Sequence, residues 1–388
     1  MQPTNMAFSQ PESYGDPDRS SADGFESAPQ RMRRVLRTRP AESALHRVLA
    51  GSADLFRGDD YPQRLAEAAA GSQLPVTTGR RIAVVGTRGG AGKTTVAALL
   101  ARIYAAMRTD TVAAVDLAPG AGTLGLRLGV PHAPPLETAA ARLRSGTPDS
   151  LRGLAALLTA AEPANLLVTG RRRTLEHPVD GGPRPSADVW TPAGPLVPPV
   201  WTPDGLSAPP GSGAAGKGTG QDVPDGASRI SRVISRYCPI TVFDCGAGLT
   251  DPAALWAVGN SHVAVFVTPA SVAGLEDALE YSDTWRRSPE LSGVPLLVLV
   301  AQPAPGGTFR AAREAGRLRQ AGLETIHLGY DRHLAAGVEV SPSLLSRRTR
   351  LEAVTLASRV LSAASAPGGQ RPGEQRPGEQ PARRNVYP

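Results

Sequence analysis

Residues 80–95 read RRIAVVGTRGGAGKTT, and the fold is decided there. Ile82 to Val85 is a short apolar run of the kind buried in a parallel sheet. Gly86, Gly89, Gly90 and Gly92 make the next stretch a glycine-rich turn, and Lys93-Thr94-Thr95 follow it. The run VAALLARIYAAM then reads as a helix. Strand, glycine-rich loop, Lys-Thr and helix together make a phosphate cradle. Glycines let backbone N–H groups approach phosphate oxygens closely, and the helix N-terminus adds positive dipole at the same point. In such a cradle Lys93 reaches the β- and γ-phosphates, and the Thr94 hydroxyl ligates Mg²⁺.

The chain holds two lysines, Lys93 and Lys217, and every other cationic side chain apart from histidine is arginine. Lysine therefore stands where a compact ammonium suits the site better than a planar guanidinium.

Of the 388 residues, 37 are proline and 42 glycine, and these concentrate in three places. They are residues 1–30, residues 178–226 and the tail from 365 to 388 with its tandem QRPGE. None holds enough apolar surface to offset ordering entropy, so disorder is expected in all three. One domain of ordinary size remains, over 81–364 with the insert excluded. Residues 31–80 are expected to form a helical arm that starts in a basic cluster, RMRRVLRTR at 31–39. The arm suits either a partner surface (anionic lipid, nucleic acid or protein) or a solvated, partly helical segment packed on the domain.

No apolar run approaches the ~20 residues that span a bilayer. Met1 is not followed by a basic-then-apolar leader. Two cysteines, Cys238 and Cys245, make neither a disulfide framework nor a metal pair. A cytoplasmic protein is expected, in a free state or peripheral at the membrane or nucleoid. The formal charge of +7 suits an acidic partner, non-specific DNA included.

Further strands are expected at Thr111–Val115 (ending at Asp116), Leu166–Thr169, Ile240–Phe243 (ending at Asp244), Val263–Thr268, Pro295–Val300 and Thr325–Leu328. Helices fit between several of them, over RISRVISRY (229–237), 271–286, 307–321 and 346–363. Alternation of this kind predicts an α/β fold with a doubly wound, mostly parallel sheet. Ligand then lies at the carboxyl ends of the strands, where Gly86–Thr95, Asp116 and Asp244 all fall. A β-branched run ending in Asp244 reads as a Walker B strand, its carboxylate beside the Mg²⁺ shell.

The loop departs from the common P-loop spacing, since Thr87 stands where the first glycine belongs. Arg88-Gly89-Gly90-Ala91-Gly92-Lys93-Thr94-Thr95 resembles instead the deviant P-loop of the MinD/ParA ATPases. Three other stretches look like that family too: VAAVDLAPGAGTLGLRLG, ITVFDCGAGL and HVAVFVTPASVAGLEDA. The basic arm, the DxxPxxGTL-like stretch, Asp-Cys-Gly-x-Gly-Leu and YDRHLAAG carry a narrower likeness. Within it, the chain is similar to ATPases encoded with type VII (ESX) secretion systems in actinobacteria. The resemblance implies ATP with Mg²⁺, a nucleotide-bridged homodimer and a protein partner in a secretion or partition system. It assigns the loop residues Gly89 to Thr95 to nucleotide and Thr94 with Asp244 to metal. Arg88 occupies the place of a lysine that crosses the dimer interface, and a solvated loop arginine is the alternative.

Two positions break the pattern. The family's water-orienting acid falls at Ala118, which can neither accept a hydrogen bond from water nor polarise it. Nucleotide binding should survive this change, while hydrolysis should be slow. Asp116 is either a partial substitute or a cap for the next turn. Gln302 stands where the family often has a base-reading asparagine. Two functions stay open: a nucleotide-dependent switch with weak ATPase activity, or a degenerate ATPase that binds nucleotide structurally and serves as a scaffold.

Overall fold

The computed structural model describes residues 60–118, 122–170, 222–248 and 251–366. The readings made for 1–30, for 31–59 of the arm, for 178–221 and for the tail beyond 366 lie outside the described residues.

Eight strands form one sheet: β1 Arg80–Val85, β2 Val112–Asp116, β3 Thr159–Ala161, β4 Leu166–Val168, β5 Ile240–Asp244, β6 Val263–Pro269, β7 Leu296–Ala301 and β8 Thr325–Leu328. The helices are α1 Tyr61–Ser72, α2 Lys93–Met107, α3 Leu124–Arg127, α4 Leu136–Ser145, α5 Leu151–Leu157 and α6 Asp222–Tyr237. They continue as α7 Pro252–Gly259, α8 Val272–Arg287, α9 Ala311–Gln320, α10 Arg332–Ala335 and α11 Arg347–Ser365.

The strand order is β3-β4-β2-β5-β1-β6-β7-β8. Every pairing is parallel except β3 with β4. This is the doubly wound, mostly parallel sheet that the alternation predicted. Alternate residues of each strand feed two cores. Ile82, Val84, Val112, Ala114, Ile240 and Val242 pack with α2 and α11. Ala83, Val85, Ala113, Val115, Phe243 and Phe266 pack with α4, α6, α7 and α8. The central strands are buried on both faces, so they read as continuous apolar runs rather than alternating ones.

Helix α2 is buried along most of its length, with Leu99, Leu100 and Tyr104 fully enclosed. Tyr104 Oη donates to the Ala357 carbonyl of α11 (2.7 Å), which gives the enclosed phenol its partner. Helix α1 lies against α11, and Ser72 Oγ reaches the Val354 carbonyl (3.4 Å). This end of the expected arm is therefore part of the folded domain.

Three boundaries differ from expectation. Strand β1 starts at Arg80, inside the stretch read as arm. Helix α6 starts at Asp222, so its first turn falls inside the stretch read as insert. Helix α11 runs to Ser365, the first residue read as tail. The glycine and proline density that marked the insert continues into α6, and composition alone could not show where ordering begins.

Candidate functional site

Strand β1 delivers the chain into the glycine-rich loop. Gly90 and Gly92 adopt φ of 75° and 101°, the left-handed region that glycine enters without steric penalty. Gly86 meets a different demand. A Cβ there would lie 2.4 Å from the Val267 carbonyl oxygen of β6. The Gly86 carbonyl also accepts from Gly248 N (3.0 Å), which binds the loop to the segment after β5. Gly92 caps α2 with no side-chain hydrogen bond, so the first amides of the helix are left to an anion.

Lys93 opens α2 and is buried. Its Nζ donates to the Arg88 carbonyl across the loop (2.8 Å). Burial pulls its pKa down, while the neighbouring Asp244 and Cys245 hold it up. The ammonium thus sits folded back on its own loop.

Strands β2 and β5 pair so that Asp116 stands opposite Asp244, both fully buried. The two carboxylates differ in their surroundings. Asp116 accepts from the backbone N–H of Ala118 (3.1 Å) and of Leu124 (3.3 Å), which shapes the turn after β2. Neither oxygen of Asp244 has a hydrogen-bond partner of good geometry. Burial, and then the nearby Asp116, push its pKa up to about 8. The Thr94 hydroxyl, Lys93 and Arg127 act in the opposite direction. A buried carboxylate without a partner is an exception that calls for a physical reason. Here it lies beside a hydroxyl and an ammonium at an anion-binding loop. A hard cation with oxygen ligands would supply the missing partner, so Thr94 and Asp244 fit Mg²⁺.

A cleft of about 340 Å³ opens at this edge of the sheet. Gly90, Ala91, Gly92, Lys93, Thr94, Thr95 and Gln302 line it, so most of the residues expected from sequence meet in one place. Gln302 follows β7, and its Oε1 accepts from Ala311 N at the start of α9 (3.2 Å). Its carbonyl end is thereby used in the fold, while the side chain still forms cleft wall. Gly89 is exposed on the loop and does not line the cleft.

Arg88 points away from the cleft. Its guanidinium grips Asp277 of α8 with two contacts, Nε to Oδ2 (2.7 Å) and Nη2 to Oδ1 (2.9 Å). Thr87 Oγ1 also donates to Asp277 (2.6 Å). Burial alone would raise the pKa of Asp277, but these hydrogen bonds outweigh it and the pKa is lowered.

Sequence reasoning missed two parts of the cleft. One is Arg127 on α3, whose Nη1 donates to the Leu334 carbonyl (3.0 Å). The other is the wall formed by Leu328, Gly329, Asp331, Leu334 and Ala335. Asp331 is buried and organises that wall, accepting from His333 N (2.9 Å), Leu334 N (3.3 Å) and Ser346 N (3.0 Å). The stretch YDRHLAAG held this signal, though nothing in its local pattern places it beside the glycine-rich loop.

Residues 82–238 match the profile of the CobQ/CobB/MinD/ParA nucleotide binding domain. Over 283 residues the chain is 26% identical to the ESX-1 secretion-associated protein EspI of Mycobacterium tuberculosis. That alignment takes in 72% of this chain and 36% of EspI, so the chain spans about a third of the length of the curated relative. A ParA family ATPase from Chlorobium tepidum TLS superposes with a TM-score of 0.48 at 16% identity, over 72% of this chain and 98% of that one. The cell division ATPase MinD of Pyrococcus furiosus does so with a TM-score of 0.46 at 19% identity, over 72% and 97%.

Proposed function

We propose, from the match of residues 82–238 to the CobQ/CobB/MinD/ParA nucleotide binding domain, that the chain is an ATP-dependent molecular switch of the MinD/ParA type. ATP binds the glycine-rich loop, two protomers associate across the nucleotide, and the dimer presents a surface to a partner. The single observation that carries the reading is Asp244, buried with neither oxygen in a hydrogen bond of good geometry, beside Thr94 and Lys93. Bound Mg²⁺ would neutralise charge on the β- and γ-phosphates. The loop amides and the α2 N-terminus hold phosphate oxygens, and Lys93 turns from the Arg88 carbonyl toward them. Arg88 exchanges Asp277 for the nucleotide of the second protomer. Such an order-and-dimerise transition is gated by the γ-phosphate.

The name of the EspI relative supports a protein partner in a secretion system. The family supports one in a partition system equally, and non-specific DNA is a further polyanion that an arginine-rich surface suits. Among the described residues no helix is long and apolar enough to cross a membrane.

A second reading is favoured by a specific observation. The position of the water-orienting acid is Ala118, and the nearby Asp116 carboxylate is engaged in the turn. On that reading the nucleotide is a structural ligand and the chain a scaffold. Sedimentation of wild type and Lys93→Ala across an ATP titration tests the switch. The wild type should dimerise and the variant should stay monomeric. A wild type that stays monomeric at saturating ATP rules the switch out. Phosphate release followed over hours separates the two readings, since turnover at the rate of active relatives excludes the scaffold.

A further inference from the structure

We propose that the apolar groove between α1, α2 and α11 is the seat of residues 41–50 of this same chain, packed there as a short amphipathic helix. That segment lies outside the described residues, and the proposal is independent of the nucleotide reading.

Three observations carry it. The first is the groove, which holds about 500 Å³ and shares no residue with the phosphate cleft. Leu65, Ala66 and Ala69 of α1, Ile103 and Met107 of α2 and Val354 of α11 line it. Leu65, Ala69 and Met107 are only half-buried and Ala66 is exposed, so the domain presents an apolar wall that is stabilised by being covered.

The second is a match of pattern and length. On the α1 wall Tyr61, Leu65 and Ala69 recur at i, i+4 and i+8, a row about 12 Å long. The sequence AESALHRVLA at 41–50 places Ala41, Ala44, Leu45, Val48 and Leu49 at i, i+3, i+4, i+7 and i+8, one face of a helix. Ser43, His46 and Arg47 fall on the opposite face. From Ala41 to Leu49 such a helix also runs about 12 Å.

The third is where the described chain begins. Asp60 leads into Tyr61, itself a groove residue, whose ring centroid lies 3.9 Å from the Arg347 guanidinium of α11. Residues 51–60 join the segment to that point, and ten residues reach up to about 33 Å. A tether this short sets an effective concentration on the order of millimolar. A second copy or a free partner in dilute solution reaches far less, so the chain's own segment takes the groove. Seated there, it fixes the basic cluster 31–39 to the domain through Pro40.

The test is hydrogen exchange of the full chain without nucleotide, in wild type, Ala66→Arg and Leu45→Asp. Arginine is a good helix former at the exposed Ala66 position, so α1 stays folded while the groove is filled. An isolated helix of this length is marginal in water, so slow exchange over 42–50 requires tertiary packing. Wild-type amides there should exchange at least ~10-fold more slowly than in either variant, the shift that one buried aliphatic side chain gives to a local opening. Amides of β5 should exchange alike in all three. Fast exchange over 42–50 in wild type would overturn the proposal. Protection that persists in Ala66→Arg would overturn it too, since the segment would then pack elsewhere. Protection that grows with protein concentration, together with a dimer in sedimentation, would give the groove to a second copy and likewise overturn it.

Discussion

At the scale of single residues, Asp244 sets the chemistry. Its carboxyl keeps a proton to about pH 8 in the nucleotide-free fold, whereas an unfolded aspartate releases it near pH ~4. Between those values the folded chain binds more protons than the unfolded one. Nucleotide-free stability should therefore be greatest at the acid end and decline as pH rises through about 8. Thermal midpoints measured across this window should show the slope, and Asp244→Asn should flatten it. Mg²⁺ needs the ionised carboxylate, so its binding at neutral pH should release a proton. Calorimetry in two buffers of different ionisation enthalpy reads this directly, and a buffer-independent heat would contradict it.

Lys93, Thr94 and Asp244 could be expected near one another from the sequence, because a glycine-rich loop after one strand and an acid ending another both fall at the carboxyl edge of a parallel sheet. The turn held by Asp116 was one of two roles read for it, but its partner Leu124 N and the placement of Arg127 were not legible. Both depend on backbone groups that only the tertiary fold brings near, such as Leu124 N and the Leu334 carbonyl.

At the scale of elements, the bond between the loop and α8 controls what Arg88 can reach. Asp277→Asn removes the carboxylate that holds it. On the switch reading, this variant should dimerise with ATP at lower protein concentration than wild type, as seen by sedimentation. An unchanged dimerisation curve would leave Arg88 without a role across protomers. The contact between β1 and β6 is tight in another sense. Gly86→Ala would drive a methyl group into the Val267 carbonyl. Overpacking of this kind destabilises by about 1–3 kcal/mol, a fall in melting temperature that calorimetry can resolve.

Most strands were readable because both faces are buried, which leaves unbroken apolar runs. Strand β3 was not, since Thr159–Ala161 is three residues long and pairs only with β4. Helices α4, α5 and α7 were not placed either. Leu136–Ser145 and Leu151–Leu157 are short and lie in polar, proline-punctuated surroundings.

At the scale of the whole molecule, the domain is wider than its motif region. Helix α1 covers the face of α11 whose Val354 and Ala357 take part in one core. A chain cut to start at Arg80 would expose that face to water. It should melt at lower temperature than a chain starting before Asp60, with a loss of several kcal/mol for the buried side chains uncovered. Equal melting points would show that α1 is an accessory. Helix α1 belongs to the stretch read as arm, and its packing on α11 agrees with the alternative in which that arm lies on the domain.

Strand β4 ends at Val168 and α6 begins at Asp222, and α6 then runs back to feed β5. Both roots of the intervening stretch thus open on one rim, the rim that carries the phosphate cleft. Some fifty residues can be lengthened, shortened or exchanged between those roots without threading the sheet or shifting a register. A tool can be changed on a handle that never has to be recut.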